Sequence, residues 1–177
     1  AQCLALLSGQ LDPGQRAGVA AALRSRGDLA RATIYFTHYL FRAYAMLGLT
    51  DLFWERLKLW FDLPGLGFKT TFEQPEPSRS DCHAWGAHPL HALMTCALGI
   101  VPAGPGAEEW MIEPHLGPLK RARGVLPLPR GDLVVELRRE GSALKGRITV
   151  PGGTRVTVIH AGETRLMPPG GAEFSIG

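Results

Sequence analysis

The sequence predicts an α+β chain, in which a helical first part is followed by a small antiparallel β-sandwich. Three observations predict it. Up to about Leu98 the apolar residues recur at a period near 3.6. From Val101 onward the period shifts toward 2. Between the two lies Pro-Ala-Gly-Pro-Gly-Ala-Glu-Glu, a linker-like turn region beginning at Pro102. The expected division is residues 1–101 for the helical part, with about four to five helices, and 102–177 for the sandwich.

The helical part begins with AQCLALL, which lacks both a methionine and a basic flank. It reads as mid-helix rather than as a signal peptide, so a piece of a longer chain is expected. Asp12-Pro13-Gly14-Gln15 is a helix start: Asp12 can cap, Pro13 suits the first helical position, and Gln15 completes a capping box. That helix is expected to run to about Arg26 and stop at Gly27. Asp28 opens a second helix, expected to reach Leu47. It is apolar almost all round except for a narrow stripe of Arg31, His38 and Arg42, as a helix buried on most sides would be. A third begins at Thr50-Asp51, with Glu55, Lys58 and Asp62 on one face and Phe53, Leu57, Trp60 and Phe61 on the other. Helical patterning resumes from Trp85 to Leu98, with Pro89 at its first turn or a kink.

In the second part EWMIEP, KRARGVLPLP, DLVVELRRE, ALKGRITV, TRVTVIH, TRLM and AEFSI read as strands. Gly141-Ser142, Gly152-Gly153, Ala161-Gly162 and Gly170-Gly171 supply the hairpin turns between them.

Composition narrows the function classes. A chain of 177 residues with 45% hydrophobic and 20% charged residues is that of a globular protein with a real core. Net charge is +3 and the basic residues are scattered rather than in blocks, which argues against a nucleic-acid partner. No apolar run approaches the roughly 18 residues a membrane span needs. Three cysteines, Cys3, Cys82 and Cys96, make no disulfide framework and mildly favour a reducing compartment such as the cytoplasm.

Chemistry concentrates in the loop Gly67–Pro89, GFKTTFEQPEPSRSDCHAWGAHP. Glu73, beside aromatic Phe72, could serve as a general base, or be a surface or capping glutamate; Glu76 and Asp81 could take its place in a paired-acid scheme. His83, His88 and His91 with Cys82 and Cys96 invite a zinc reading, but their spacing matches no common site, and no metal or cofactor is expected. Ser78 and Ser80 lack the context of a nucleophile elbow. Phe68, Phe72 and Trp85 suit stacking on a sugar ring, whereas Trp54, Trp60 and the Tyr35–Tyr44 cluster read as core.

Three runs in order, GFKTTFE, SRSDCHAWGAHPLHALMTCALGIVP and WMIEPHLGPLKRARGVLPLPRGDLVVE, resemble the C-terminal part of bacterial α-L-rhamnosidases. The resemblance extends from Ala1 to about Glu140. It implies an inverting glycoside hydrolase whose (α/α)6 barrel precedes a C-terminal β-sandwich, with this chain carrying only the last barrel helices. It maps the general base onto Glu73 and a sugar-contacting histidine onto His83. Phe72 stands where a tryptophan usually sits, and the loop from Glu73 to His83 is shorter than usual. The general acid belongs to the first half of the barrel, so the chain alone is expected to be inactive. A non-catalytic carbohydrate-binding module and an (α/α)6 hydrolase for another sugar are the alternatives. Rhamnose-containing glycosides are the implied partners, and the open helix faces point to a homo-oligomer of the isolated chain.

Overall fold

The computed structural model describes residues 1–25, 27–74 and 78–176, which form two compact units, Ala1–Ala92 and Leu93–Gly177. The first unit is helical: α1 (Gln2–Leu7), α2 (Pro13–Ser25), α3 (Thr37–Met46), α4 (Thr50–Asp62) and the single turn α5 (Pro89–Ala92). The second holds eight strands in two four-stranded sheets. The fold is therefore α+β, as the change of period predicts.

The expected capping box opens α2. The Asp12 carboxylate accepts from the Gln15 backbone N–H at 2.8 Å, and the Gln15 side-chain carbonyl accepts from the Asp12 N–H at 3.0 Å. Its expected end at Arg26 lies outside the described residues. The next helix is shorter than its apolar pattern suggests, starting at Thr37 rather than Asp28. In a helix the Ala32 carbonyl would accept from the Phe36 N–H. Here that N–H turns to the Thr33 hydroxyl at 3.1 Å, while the Ala32 carbonyl takes the Arg56 guanidinium at 2.9 Å. Arg56, from α4, also donates to the Thr37 hydroxyl at 3.0 Å and so ties the non-helical approach to the helix it precedes.

Phe41 of α3 packs edge-to-face on Phe53 of α4, ring centroids 4.8 Å apart. The apolar face of α4 is narrower than its sequence implies: Phe53 and Leu57 are buried, but Phe61 is exposed. A smaller cluster of Ile34, Leu63, Phe68 and Phe72, with Leu59 and Trp60 against it, anchors the beginning of the segment that carries the candidate site.

The helix expected over Trp85–Leu98 is interrupted. A 3-10 turn (Ala84–Ala87), α5 and a π-helical turn (Leu93–Ala97) replace it, the last belonging to the second unit. Pro89 explains the first break, because it cannot donate to a preceding carbonyl and crowds the turn before it.

The sandwich strands are β1 (Ile100–Pro102), β2 (Glu109–Ile112), β3 (Arg121–Leu128), β4 (Gly131–Glu140), β5 (Ala143–Thr149), β6 (Arg155–His160), β7 (Glu163–Leu166) and β8 (Ala172–Ile176). All seven sequence-predicted strands form, and β1 is an addition. One sheet has the order β1-β2-β6-β7 and the other β3-β4-β5-β8. Pairing is antiparallel throughout except for β2 beside β6, which is parallel. Period 2 places Leu133, Val135 and Leu137 of β4 inward, where they meet Ile112, Val156 and Val158 of the other sheet in one core. Truncating such a residue to alanine costs roughly 2–5 kcal/mol. The β6–β7 hairpin turns on Ala161-Gly162, both with positive φ (49° and 83°), the conformation a two-residue turn of matching twist demands.

Candidate functional site

The loop from Gly67 to Pro89 doubles back on itself. Its outgoing stretch, Thr71–Glu73, runs beside its returning stretch, Ser80–His83. The Glu73 N–H donates to the Ser80 carbonyl at 2.9 Å and the His83 N–H to the Thr71 carbonyl at 2.8 Å. The Thr71 hydroxyl adds a bond to the His83 carbonyl at 2.9 Å. Two further contacts tie this pair of stretches down. Trp60 of α4 donates its indole N–H to the Gly86 carbonyl at 2.7 Å. Gly86 itself lies so close that a Cβ there would sit 2.7 Å from the Phe72 carbonyl oxygen, so only glycine fits.

This backbone arrangement brings Glu73, His83 and Trp85 together. Trp85 donates its indole N–H to the Glu73 carbonyl at 3.3 Å, and its ring lies 4.1 Å from that of His83 at an angle of 44°. Glu73 is only 7% exposed, and with Thr37 it forms the buried polar side chains among the described residues. Its charge is met by Arg79, which donates Nε to Oε2 at 3.1 Å and Nη2 to Oε1, a two-pronged pairing. Arg79 is 72% exposed, so the pair has a buried acid and a guanidinium that faces water.

Phe72 is 1% exposed and turns its ring into the cluster with Phe68, 5.2 Å away. Buried in this way it offers no open face to a sugar ring, unlike the stacking role expected for it. Asp81 is exposed at the loop surface, and Glu76 lies outside the described residues.

Two site residues are not legible in the sequence. Tyr35, expected in the core, is 49% exposed and sets its ring edge against Trp85 at 5.7 Å. Tyr39 stacks next to it, the two hydroxyls 3.5 Å apart, and this contact raises the Tyr35 phenol above its ordinary value. Tyr35, Trp85 and His83 form an aromatic shelf beside Glu73. Arg79 is the other: an arginine in a polar loop carries no signal that it will clamp a carboxylate.

The histidines are arranged differently from a metal site. His88 is wedged among Phe41, Trp60 and His38, at 5.7, 5.2 and 5.8 Å between ring centroids. Its Nε2 donates to the Ile34 carbonyl at 3.0 Å, which fixes Nδ1 as the bare nitrogen, and that atom is buried with no hydrogen-bond partner among the described residues. His91 lies 5.6 Å from His38, ring centroid to ring centroid. Burial lowers the pKa of both His88 and His38, and the neighbouring histidines lower them further. Among the described residues no three His, Cys, Asp or Glu side chains converge as a metal ion would require. Among the described residues Cys3, Cys82 and Cys96 form no disulfide, and no described helix is long and apolar enough to cross a membrane.

Residues 99–171 match the family model of the bacterial alpha-L-rhamnosidase C-terminal domain. In structure the chain is similar to the GH78 family rhamnosidase of Bacillus sp. GL1, with a TM-score of 0.80 and 25% identity over 89% of this chain and 18% of that one. The alfa-L-rhamnosidase of Aspergillus terreus gives a TM-score of 0.75 at 20% identity, covering 92% of this chain and 21% of that one. The alpha-L-rhamnosidase of Dictyoglumus thermophilum gives 0.72 at 18% identity over 89% of this chain and 20% of that one. The chain thus spans about a fifth of the length of these solved enzymes. A sequence search of curated proteins returns no match. By sequence over residues 99–171 and by fold over most of its length, the chain is like the C-terminal part of the α-L-rhamnosidases.

Proposed function

We propose that this chain is the C-terminal part of an inverting glycoside hydrolase of the α-L-rhamnosidase type, and that it supplies the general-base side of the active site. Its helical unit then stands as the closing part of an (α/α)6 barrel. The observation that carries the reading is Glu73: a carboxylate 7% exposed, held by its own backbone and by Arg79, beside the shelf of Trp85, Tyr35 and His83. A buried acid next to open aromatic faces is the equipment for activating water against a sugar ring.

In this scheme Glu73 takes a proton from the attacking water. An acid roughly 6.5–9.5 Å away protonates the leaving oxygen. That acid comes from sequence outside these 177 residues. His83 and Trp85 contact the rhamnosyl ring, and Phe72 holds the base in place from the core side. Arg79 orients the Glu73 carboxylate, and it must yield at least one carboxylate oxygen to water for the reaction to proceed.

The test is Glu73→Gln in the longer protein, assayed on an aryl α-L-rhamnoside. Loss of the base is expected to lower kcat by about 10²–10⁴-fold with little change in KM. The isolated 177-residue chain is expected to be inactive on the same substrate. Full activity of the variant, or hydrolysis by the isolated chain, would refute the reading.

One observation favours a second reading. Both Glu73 oxygens are occupied by Arg79, which is compatible with a non-catalytic module that binds a carbohydrate on its aromatic shelf. Binding of rhamnosides by a longer chain that hydrolyses neither these nor a panel of other aryl glycosides would select it. Hydrolysis of a different glycoside in that panel would instead assign another sugar to the same fold.

A further inference from the structure

The basic residues that lie scattered in the sequence are gathered by strand register. Arg121 of β3, Arg138 of β4 and Lys145 of β5 stand directly opposite one another across three strands. They fall on the outer face of their sheet, because the alternate residues Ala122, Leu137, Gly146 and Phe174 lie on the core side. Like charges opposed in this way are destabilising. Glu140 relieves two of them, pairing with Arg138 at 2.8 Å and Lys145 at 2.6 Å. Lys145 and Arg138 in turn hold the Glu140 carboxyl below its usual range. Arg121 has no ion-pair partner among the described residues.

The neighbouring row alternates in sign. Arg123, Glu136, Arg147 and Glu173 follow one another across four strands, with ion pairs of 2.8 Å between Arg123 and Glu136 and between Arg147 and Glu173. The two rows line a groove of about 790 Å³ on this face. Positive charge exceeds negative along it, yet carboxylates are interleaved.

We propose that this groove binds an acidic glycan, a sugar chain bearing carboxylates at intervals. The cationic row meets the carboxylates, and Glu136 and Glu173 accept hydrogen bonds from sugar hydroxyls. A densely charged phosphate polymer would be repelled by those same acids, so a sparsely charged, hydroxyl-rich ligand fits better. Adjacent strands lie about 4.8 Å apart, so cationic positions recur across the sheet on the scale of one sugar ring. The choice of a glycan rests on the glycoside-hydrolase reading above; the charge pattern itself does not.

The experiment is a titration of the 177-residue chain with oligogalacturonate, with a neutral oligosaccharide of equal length, and with oligothymidylate. Binding of oligogalacturonate that weakens with salt, and at least tenfold weaker binding of the other two, is expected. Arg121→Gln together with Arg138→Gln is expected to weaken it tenfold or more. Because these replacements remove like-charge opposition, the thermal midpoint should not fall. Lys145→Gln alone serves as a second variant should the pair misfold, with a smaller loss in the same direction. Absence of binding, equal binding of the neutral chain, tighter binding of oligothymidylate, or unchanged affinity in the variants would each overturn the proposal. In the longer protein, the Arg121 and Arg138 replacements should leave hydrolysis of a small aryl α-L-rhamnoside unchanged. If that substrate is not cleaved even by the unmodified longer protein, the rhamnosidase reading fails while the binding result stands.

Discussion

At the scale of single residues, the helical unit depends on one bare nitrogen. A neutral His88 keeps its bond to the Ile34 carbonyl only in the tautomer that leaves Nδ1 without a proton. Adding one would bury an N–H with no acceptor among the described residues, beside His38, with His91, Arg42 and Arg56 adding positive charge nearby. Burial sets the folded-state pKa of both His38 and His88 below the ordinary 6.5. The unfolded chain therefore takes up protons first as pH falls, and stability is lost below about pH 6.5 and retained above it. Thermal unfolding followed at about pH 5 and about pH 7.5 should show the lower midpoint in acid, and His88→Gln should reduce the difference. An equal or higher midpoint in acid would contradict this account. The residues that were legible in the sequence are the ones whose partners lie close along the chain, such as Asp12 with Gln15. Tyr35 was not legible because its role depends on Trp85, fifty residues on, and Arg79 was not because the six-residue loop back to Glu73 has no regular period that would set the two side chains together.

At the scale of elements, the candidate loop is a folded object rather than a tether. Its two stretches bond to each other, Trp60 fastens the returning one, and Gly86 packs against the outgoing one. Gly86→Ala would drive a methyl group into the Phe72 carbonyl, at a cost of roughly 1–3 kcal/mol. A thermal midpoint equal to that of the parent chain would show that the loop can shift without penalty. Helix α3 illustrates where pattern reading falls short. The run from Asp28 to Leu47 is apolar enough to be helical throughout, but Arg56 offers the Ala32 carbonyl a charged donor that the helix cannot match. Strand β1 escaped notice for the opposite reason: three residues have no period of their own, and only β2 gives them a ladder.

At the scale of the molecule, the helical unit leaves Tyr35, Met46, Phe61, Leu66 and Leu90 largely exposed. Apolar surface of this kind favours association. Sedimentation of the isolated chain at micromolar concentration is expected to show a dimer or larger species, and a clean monomer would argue against it. The division into helices then strands was legible because the two periods differ, and so were seven strands and the hairpin turns at Gly141-Ser142 and Ala161-Gly162. Gly152-Gly153 and Gly170-Gly171, expected as hairpin turns, instead carry the chain from one sheet to the other, because a Gly-Gly pair permits a turn without choosing the strand that follows it. The pairing of β2 with β6 was not legible, since a parallel partner carries no turn between it and its neighbour.

That pairing also governs the order in which the sandwich can be assembled. Glu109–Ile112 must wait for Arg155–Val158, and the whole meander β3–β4–β5 lies between them in the chain. The meander can zip from its own tight turns, whereas the other sheet must first close a long loop, the slow class of contact. A nascent chain therefore forms three of the four strands of one sheet early and holds their apolar face open until β6 emerges, with the β5 edge unpaired until β8 follows, which makes this interval its time of greatest exposure to misassembly.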